Sequence, residues 1–487
     1  MIEPLEIAAL VEKFASGRRG KSAALKYAIR QGVTERVLRP NDELPSTRRT
    51  AAALSMSRNS VIDAYEGLQA EGVIETRRGA RPRVCALPSL EPTLAGAERP
   101  ITLSTRGKVL SDDHRAGYVV GRVDAFSPGL PDPALFPRDD WAVALRRAAR
   151  RDLRGLDHYE AYQGLPALRT AVALHLKRHR GVSVAPEQVF ILPNTQSGMA
   201  LLCDLVTDAG DQVLVEDPGY AGARALFAAK GLEVAALPER VHRLTDGPGG
   251  QRGAAPEHRA RLIYITPSTQ YPSGNRMQLR RRADVLAVAE ARNALVIEDD
   301  YDGDFVWRGA DVPPVFALDR AGAVALLGTL SKSIMPGMRM GWLVVPPRLI
   351  EPVQRAHRTL GLAVNVSVQA AMADFLTDGL FARHLRSAAR TYRDRMATLT
   401  AALRETLGEA GRVSEPDGGL QVLLRFADHV DDVAVAEMLW DRGYELLPLS
   451  RLCLERRKAG LVIGFARANA ASSVKLGSAI AGAVSQR

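Results

Sequence analysis

From residue 189 to residue 327, short apolar runs alternate with segments whose apolar positions recur every three or four residues. The first pattern indicates buried strands and the second indicates amphipathic helices. The predicted strands are Val189–Leu192, Val213–Glu216, Leu262–Thr266, Leu295–Glu298 and Val324–Leu327, and the predicted helices include Gly198–Thr207, Ala221–Lys230 and Arg280–Ala291. This alternation predicts an α/β fold with a mostly parallel sheet and helices on both of its faces.

The first 86 residues follow a different pattern. Short helices are predicted at 22–30, at 47–54 with Ser46 or Thr47 as the cap, and at 58–70 with Ser57 as the cap. A strand at 73–76 and a basic turn follow. This order predicts a winged helix-turn-helix (α+β), whose third helix enters the major groove of DNA by its N-terminus. A small helical protein-interaction domain is the alternative interpretation.

The charge of the chain is concentrated in this first part. Residues 18–83 contain 14 Lys and Arg against 7 Asp and Glu, which is most of the net charge of +10. A basic module joined to a nearly neutral body indicates a polyanion as the module's partner. A basic tail that only improves solubility is the alternative, and the ordered helix pattern disfavours it.

Composition indicates a globular protein and disfavours membrane-spanning, secreted and disulfide-rich classes. With 487 residues, of which 46% are hydrophobic and 25% charged, the chain is predicted to form more than one globular domain. No apolar run is long enough for a membrane span, and the start lacks the pattern of a signal peptide. Cys85, Cys203 and Cys453 have neither disulfide nor metal spacing. We therefore expect a cytoplasmic protein without a membrane partner.

A polar turn after the last predicted strand contains the most informative residues. Lys332, Arg339 and three hydroxyl residues lie within eleven positions. A desolvated lysine can lose its proton and form a Schiff base with a carbonyl group, and an arginine binds phosphate through a planar pair of donors. Together they indicate an aldehyde that carries a phosphate, which is pyridoxal 5'-phosphate (PLP). The alternative is a solvated lysine in an ordinary loop.

Polar residues also follow the other predicted strands. The turn from Asn194 to Gly198 either binds a phosphate at a helix N-terminus or is an ordinary cap. Tyr220 either stacks on a flat ring or covers the core. The four acids within 298–302 indicate either a metal site or a carboxylate paired with a cationic ring. The basic stretch at Lys332 favours the ring.

The segments LPSTRR and SRNSVIDAYEGLQAEGVIETR resemble the DNA-binding domain of GntR-type regulators. The resemblance implies DNA contacts at Arg48, Arg58 and Ser60. Asn59 stands on the same first turn and can read adenine, and Arg77 and Arg78 can lie along phosphates. The wing departs from the family, which usually has a Gly-Ser-Gly-Thr-Phe-like tip, because here the tip reads GARPR.

The motifs DPGY, TPSTQYPSG, EDDYDGDF and GTLSKSIMPGMRMGW make residues 126–487 similar to the fold-type I aminotransferases. The resemblance implies that Lys332 forms the internal aldimine with PLP, that Asp299 pairs with the pyridine nitrogen, and that Tyr301 contacts the 3-oxygen. It also implies that Tyr220 stacks on the ring. The implied phosphate-binding residues are Thr195, Gln196, Thr329, Ser331 and Arg339. Tyr162 is expected on a loop that reaches the partner subunit's pocket.

The sequence departs from working aminotransferases at two places. We place Ser268 where those enzymes commonly have an asparagine beside the ring oxygen. The strand predicted at Gly460–Ala466 has an apolar residue where they have an arginine for the substrate carboxylate, and Arg467 lies just beyond it. His175 and His179 have a zinc-compatible spacing, but no catalytic acid stands between them, so we expect two surface histidines and no metal site.

The fusion of a GntR-like DNA-binding domain with an aminotransferase-like domain resembles the MocR regulators. The predicted domains are a winged helix-turn-helix at 18–86, a linker at 87–122 and a PLP-binding effector domain at 123–487. We expect a regulator of transcription that senses an amine, an amino acid or PLP itself through Lys332 and re-aims its DNA-binding domains. The resemblance implies a head-to-tail homodimer on double-stranded operator DNA. A metabolic aminotransferase with an accessory DNA-binding domain and a PLP-free scaffold protein are the alternatives.

Overall fold

The computed structural model describes residues 2–15, 20–76, 80–85, 101–111, 124–151, 163–238, 260–309 and 312–486. The chain divides into two compact units, Met1–Thr102 and Leu103–Arg487. The domain limits drawn from the sequence at residues 18, 86 and 122 stay predictions. Inside the predicted linker, Thr105–Ser111 forms a helix.

The first unit is built from helices and one small hairpin. Its elements are α1 (Pro4–Ala15), α2 (Lys21–Thr34), α3 (Thr47–Ala53), α4 (Arg58–Ala70), β1 (Ile74–Glu75) and β2 (Arg83–Val84). The caps form as the sequence predicts, since Ser46 accepts a hydrogen bond from the backbone N–H of Arg49 and Ser57 from that of Ser60. Helix α1 precedes the predicted domain start, and its Ile7 joins the core of the unit.

A buried tyrosine joins the two helices of the helix-turn-helix. The hydroxyl of Tyr65, on α4, donates to the carbonyl oxygen of Pro45 at 3.0 Å and lies 3.0 Å from the hydroxyl of Thr50, on α3. Burial raises the pKa of Tyr65 to about 12, so it stays neutral. Strands β1 and β2 pair in antiparallel fashion, with Ile74 opposite Val84. Arg77 and Arg78 lie outside the described residues.

The second unit is a large α/β body. Its helices are α5 (Thr105–Ser111), α6 (Arg138–Ala149), α7 (Pro166–Arg180), α8 (Thr195–Val206), α9 (Ala221–Ala229), α10 (Leu279–Arg292), α11 (Val315–Leu318), α12 (Leu330–Ser333), α13 (Ile350–Thr359), α14 (Val366–Thr377), α15 (Leu380–Leu407), α16 (Asp432–Asp441) and α17 (Ala470–Val484). Its strands are β3 (Val189–Leu192), β4 (Gln212–Val215), β5 (Glu233–Ala236), β6 (Ala260–Ile265), β7 (Leu295–Asp300), β8 (Val324–Thr329), β9 (Gly341–Val344), β10 (Arg412–Val413), β11 (Gln421–Arg425), β12 (Leu447–Pro448) and β13 (Gly460–Gly464).

Within the described residues, β3 to β9 form a seven-stranded sheet in the order β3-β9-β8-β7-β6-β4-β5. The pairs from β8 to β5 are parallel, and only β9 runs antiparallel to its two neighbours. Side chains of one strand alternate between two clusters: Ile263 packs toward α10, whereas Leu262 packs toward α8 and α9. This confirms the predicted α/β fold with a mostly parallel sheet and helices on both faces.

A smaller antiparallel sheet follows, in the order β10-β11-β13-β12. One of its faces, which includes Val422 and Ile463, lies in the large cluster that α15 and α17 complete. The other face carries Leu423 and Val462 and belongs to a separate small cluster. None of the described helices combines the length and the apolar composition that a bilayer crossing requires.

Candidate functional site

The carboxyl ends of β7 and β8 bring the predicted cofactor residues together. Lys332 lies on α12, directly after β8, and Asp299 lies on β7 opposite Leu327 of β8. Ligand sites of open α/β sheets lie at the carboxyl ends of strands, because the loops there border a crevice. The predicted site residues therefore occupy the expected edge of the sheet.

Asp299 is arranged to accept a hydrogen bond from a bound group. Its side chain is buried, with 4% of the residue exposed, and its Oδ2 accepts a hydrogen bond from the hydroxyl of Tyr264 at 2.8 Å. Its Oδ1 has no hydrogen-bond partner among the described residues. Burial raises the pKa of Asp299 to about 7, against the opposing effects of Tyr264 and Lys332. A pyridine N–H would give Oδ1 the donor that it lacks.

Tyr301 shows the same feature two residues later. Its hydroxyl is buried and, within the described part of the chain, makes no hydrogen bond. Burial, together with Asp302 and other acidic neighbours, raises its pKa well above the usual value. The neutral hydroxyl can donate to a ring oxygen. The two unsatisfied atoms, on Asp299 and Tyr301, thus fit the two polar positions of a PLP ring.

Four of the five residues predicted to hold the phosphate lie on two strand-to-helix turns. Thr329 caps α12, where its Oγ1 accepts from the backbone N–H of Ser331 at 3.1 Å and donates to the Ser331 hydroxyl at 3.0 Å. Thr195 and Gln196 form the first turn of α8, and Gln196 donates to the hydroxyl of Tyr220 at 3.3 Å. Arg339 is exposed and follows a short 3-10 helix, Pro336–Met338, between α12 and β9. The structure thus brings Gln196 and Tyr220 into contact.

Tyr271 was not predicted as a site residue, yet it lies among the others. Its ring centroid is 5.8 Å from that of Tyr220 and 6.2 Å from that of Tyr301. The hydroxyl of Ser268, which the sequence places beside the ring oxygen, accepts a hydrogen bond from Arg180 at 2.6 Å. Tyr271 stands in the same loop, between Pro267 and Pro272. This position is the feature from which the sequence could have predicted it as a site residue.

A buried carboxylate fixes this loop. Glu216, at the end of β4, accepts hydrogen bonds from the backbone N–H and the hydroxyl of Thr266 at 2.8 and 2.6 Å. Its other oxygen accepts from Gln270 at 2.8 Å. Burial raises the pKa of Glu216, and these three donors oppose that shift. The network therefore holds the backbone immediately before Tyr271.

Two buried side-chain pairs, which the sequence analysis missed, join helix α7 to the segment that follows Asp299. Arg180 forms an ion pair with Asp300 at 2.9 Å, and His175 lies 3.5 Å from Asp304. The expectation of a surface position is wrong for His175, which is 7% exposed because it packs against the body, whereas His179 is exposed. Within the described ranges, no group of three or more His, Cys, Asp or Glu residues could hold a metal ion.

The surroundings of the lysine include a glycine loop and the small sheet. A Cβ built on Gly129 would lie 3.2 Å from Lys332 Nζ and 3.6 Å from Gln421 Oε1. Gln421 is buried on β11, and its amide N–H donates to the carbonyl oxygen of Pro272 at 3.2 Å. Val462, on the strand predicted to lack an arginine, is fully buried among leucines. Arg467 donates through Nε to the carbonyl oxygen of Pro131 at 3.0 Å.

The predicted DNA-contacting residues lie on the first turns of α3 and α4. Arg48, Arg58 and Asn59 are exposed, and the Ser60 hydroxyl lies 2.8 Å from that of Ser57. The side chains of Arg48 and Arg58 have neither a hydrogen bond nor an ion pair with any described residue. Other basic residues of the unit are paired with acids: Arg49 with Glu3, Lys26 with Glu71 and Arg83 with Glu43.

Two families match the chain. Residues 21–84 match the bacterial regulatory proteins of the gntR family, and residues 132–459 match the aminotransferase class I and II family. The second family is PLP-dependent, in agreement with the fit of Asp299 and Tyr301 to the cofactor ring. PLP is therefore the cofactor of this protein.

Relatives share the fused architecture. The chain is 35% identical to the probable rhizopine catabolism regulatory protein MocR of Rhizobium meliloti, over 88% of this chain and 86% of the relative. It is 32% identical to the pyridoxine biosynthesis transcriptional regulator PdxR of Corynebacterium glutamicum, over 88% of this chain and 87% of that one.

The multiple substrate aminotransferase of Thermococcus profundus has the same fold, with a TM-score of 0.70 at 22% identity, over 79% of this chain and 97% of that chain.

The matches agree with the two units of the structure, a DNA-binding helix-turn-helix and an aminotransferase-like body. The chain belongs to the aminotransferase class I and II family and, through its fused GntR domain, to the MocR-type regulators of transcription.

Proposed function

We propose that this regulator senses a primary amine, or PLP itself, through an imine between PLP and Lys332, and that the change at this site alters DNA binding. The observation that carries the proposal is the pair of buried, unsatisfied atoms, Asp299 Oδ1 and the Tyr301 hydroxyl. Asp299 is positioned by β7 and Tyr301 by the turn after it, and β7 pairs with β8, the strand that leads to Lys332. They supply the acceptor and the donor that the ring nitrogen and ring oxygen require.

The proposed exchange conserves atoms and charge. When PLP is bound, its aldehyde carbon would be joined to Lys332 Nζ as an imine with a protonated nitrogen, and a neutral primary amine could take the lysine's place there, passing one of its two N–H protons to Lys332 Nζ. Asp299 holds the ring nitrogen, Tyr301 the ring oxygen, and Tyr220 stacks on the ring. Thr195, Gln196, Thr329, Ser331 and Arg339 bind the phosphate. A ligand shifts the protein between two states only if its affinity for them differs.

DNA binding is proposed to use the first turn of α4 for base edges. Arg58 and Asn59 are exposed there, and Arg48 lies on the neighbouring helix α3. Ser60, Arg77 and Arg78 complete the proposed contacts. We also propose a head-to-tail homodimer in the cytoplasm. A dimer has two DNA-binding domains, which would bind a repeated operator with higher affinity than one domain would.

The experiment tests whether the PLP site and the DNA-binding site are coupled. Full-length protein is loaded with PLP, reduced with borohydride and analysed by mass spectrometry, and its affinity is measured for a duplex selected from a random library. The expected result is an adduct on Lys332, and a change in affinity for the selected duplex on adding an effective amine. Lys332→Ala should abolish both, whereas Lys230→Ala, which removes a lysine paired with Asp204, should abolish neither. Failure to find an adduct on Lys332 would refute the proposal.

Amino transfer is the second candidate function. The cofactor-holding residues Lys332, Asp299 and Tyr301 are all present, and the 2-aminoadipate transaminase of Thermus thermophilus is 29% identical over 72% of this chain and 84% of that one. Steady turnover of an amino donor with a keto acid would support it. An unchanged DNA affinity in the presence of that donor would favour it over sensing.

A further inference from the structure

The face of the small sheet that borders Lys332 is almost free of charge. In the antiparallel register, Gln421 lies opposite Gly464, Leu423 opposite Val462, and Val462 opposite Leu447. Because side chains alternate along a strand, these residues share one face, whereas Val422 and Ile463 point the other way into the main core. At these positions the shared face thus offers one amide and several apolar side chains.

This face is directed toward the cofactor site. Leu423, Leu447 and Val462 form an apolar cluster that includes Tyr271. The ring of Tyr271 in turn contacts the rings of Tyr220 and Tyr301. Gln421 is the polar residue at the end of the face nearest the lysine, since its Oε1 and Lys332 Nζ both lie within 3.6 Å of the Cβ position of Gly129. A ligand joined to PLP in place of Lys332 would meet this amide.

The buried ionisable groups beside the lysine are acids. Asp302, 5% exposed, has an oxygen without a hydrogen-bond partner among the residues that the structure describes, and it interacts electrostatically with Lys332. Asp299 interacts with the same lysine. A carboxylate on the ligand would be desolvated in this buried site, which is costly unless a cation pairs with it.

Of the three arginines that border the face, Arg224 and Arg425 are engaged elsewhere, and Arg467 uses one of its nitrogens. Arg224 donates to the carbonyl oxygens of Leu452 and Arg451 at 3.0 and 2.8 Å. Arg467 uses its Nε on the carbonyl oxygen of Pro131. Arg425 stands on the same face but four residues from Gln421, at the far end of β11, where it pairs with Asp428 at 3.6 Å. No arginine on the described strands of this sheet thus lies beside the lysine.

We infer that the amine that displaces Lys332 carries no carboxylate, and that its polar group, such as a hydroxyl, is recognised by the amide of Gln421. The inference rests on the proposed function and names its ligand class: amino alcohols and simple amines rather than amino acids. It also makes Gln421 a residue that determines specificity.

The test uses full-length, PLP-loaded protein and two matched pairs of probes, L-alaninol with L-alanine and L-leucinol with L-leucine. Each pair differs only by a hydroxymethyl group in place of a carboxylate, and the pairs are compared at equal concentrations of neutral amine. Borohydride is added after equilibration, and mass spectrometry measures the fraction of PLP that is no longer reduced onto Lys332. We expect each amino alcohol to release half of the PLP at a concentration at least about tenfold below that of its amino acid.

Variants of the sheet separate recognition from folding. Gln421→Ala should raise the half-release concentration of L-alaninol about threefold to tenfold, the effect of one lost hydrogen bond. Val422→Ala, on the same strand but facing the core, should leave it unchanged. Val462→Arg should lower the half-release concentration of L-alanine. If this variant fails to fold, the comparison of wild type with Gln421→Ala still tests whether Gln421 recognises the ligand.

The outcomes are distinguishable from failure of the proposed function. Release by L-alanine and L-leucine at concentrations equal to or below those of the alcohols would overturn this inference alone. Loss of such release in Arg467→Gln would then identify the carboxylate's partner. Absence of any adduct on Lys332 before an amine is added would remove the proposed function, and this inference with it.

Discussion

The hydroxyl of Tyr264 donates a hydrogen bond of 2.8 Å to Oδ2 of Asp299, and both side chains are buried at the centre of the large sheet. Tyr264 is on β6 and Asp299 on the neighbouring strand β7. The hydrogen bond occupies one carboxylate oxygen and opposes the rise that burial causes in the pKa of Asp299. The other oxygen, which has no partner among the described residues, is the one that we propose to accept from the pyridine nitrogen of PLP.

Tyr264→Phe should weaken PLP binding. The variant removes the hydrogen bond that favours the charged form of Asp299, and hydrogen bonds to charged groups contribute roughly 1.5–3 kcal/mol. We therefore expect the dissociation constant for PLP to rise about tenfold or more. Titration of the cofactor-free protein with PLP, followed by the visible absorbance of the imine, measures the change.

The matched control is Tyr65→Phe. It removes an equally buried hydroxyl, but in the DNA-binding unit, where the group bonds to Pro45 and Thr50. PLP affinity should be unaffected, and DNA affinity should fall because the helix-turn-helix loses this link. Equal losses of PLP affinity in both variants would show that Tyr264 acts through general stability.

Asp299 also predicts a pH dependence of the cofactor-free protein. Its pKa is raised from 3.8 to about 7 by burial. Between these values the folded state holds a proton that the unfolded state releases, so its contribution to stability is present below about pH 4 and is lost as the pH rises through about 7. Relative to Asp299→Asn, which cannot ionise, the wild type should lose stability on the order of a few kcal/mol over this range.

Thermal unfolding of both proteins without PLP, at a series of pH values, checks this prediction. The difference between the two midpoints is the quantity to follow, because Glu298, whose pKa burial also raises to about 7, titrates in both. A difference that does not change with pH would contradict the raised pKa. With PLP bound, the charged ring nitrogen stabilises the carboxylate, and the slope should decrease.

Local patterns predicted five of the seven described strands of the large sheet and missed β5 and β9. The strand at Val189–Leu192 has the predicted bounds, and β7 and β8 extend two residues beyond theirs, to Asp300 and Thr329. Apolar periodicity and turn residues are local signals, and these elements depend mainly on them. Helix α1 was missed, because Ile7 becomes recognisable as a core residue only when its partners on other helices are known.

The site was predictable where a residue stands in a motif and not where the sheet brings distant residues together. Asp299 lies near the end of β7, Tyr301 follows β7 and Lys332 follows β8, all in motifs that the sequence shows. Tyr264 looks like one more apolar strand residue, and its role depends on the register between β6 and β7. Arg180 meets Asp300 across 120 residues, so no local spacing could reveal the pair.

On the DNA side, Arg58→Ala should reduce the preference for a selected duplex over random DNA by about 1–3 kcal/mol. Arg58 is exposed on the first turn of α4 and is not engaged by any described residue. Arg49→Ala is the matched control, because Arg49 pairs with Glu3 and its exposed ion pair contributes about 1 kcal/mol or less. Competition binding at constant salt measures both. An unchanged preference in Arg58→Ala would contradict base recognition by this arginine.

Gly129 and Gly181 separate the chemistry of the lysine from backbone strain. Both have φ of 66°, a left-handed conformation that costs a residue with a Cβ about 1–2 kcal/mol. A Cβ on Gly129 would lie 3.2 Å from Lys332 Nζ, whereas one on Gly181 would have nothing within 4 Å. Gly129→Ala and Gly181→Ala should therefore lose similar stability, but only Gly129→Ala should crowd the lysine and lower the fraction of PLP that borohydride fixes on it. Equal trapping in the two variants would mean that the lysine reacts from a position away from the Gly129 loop.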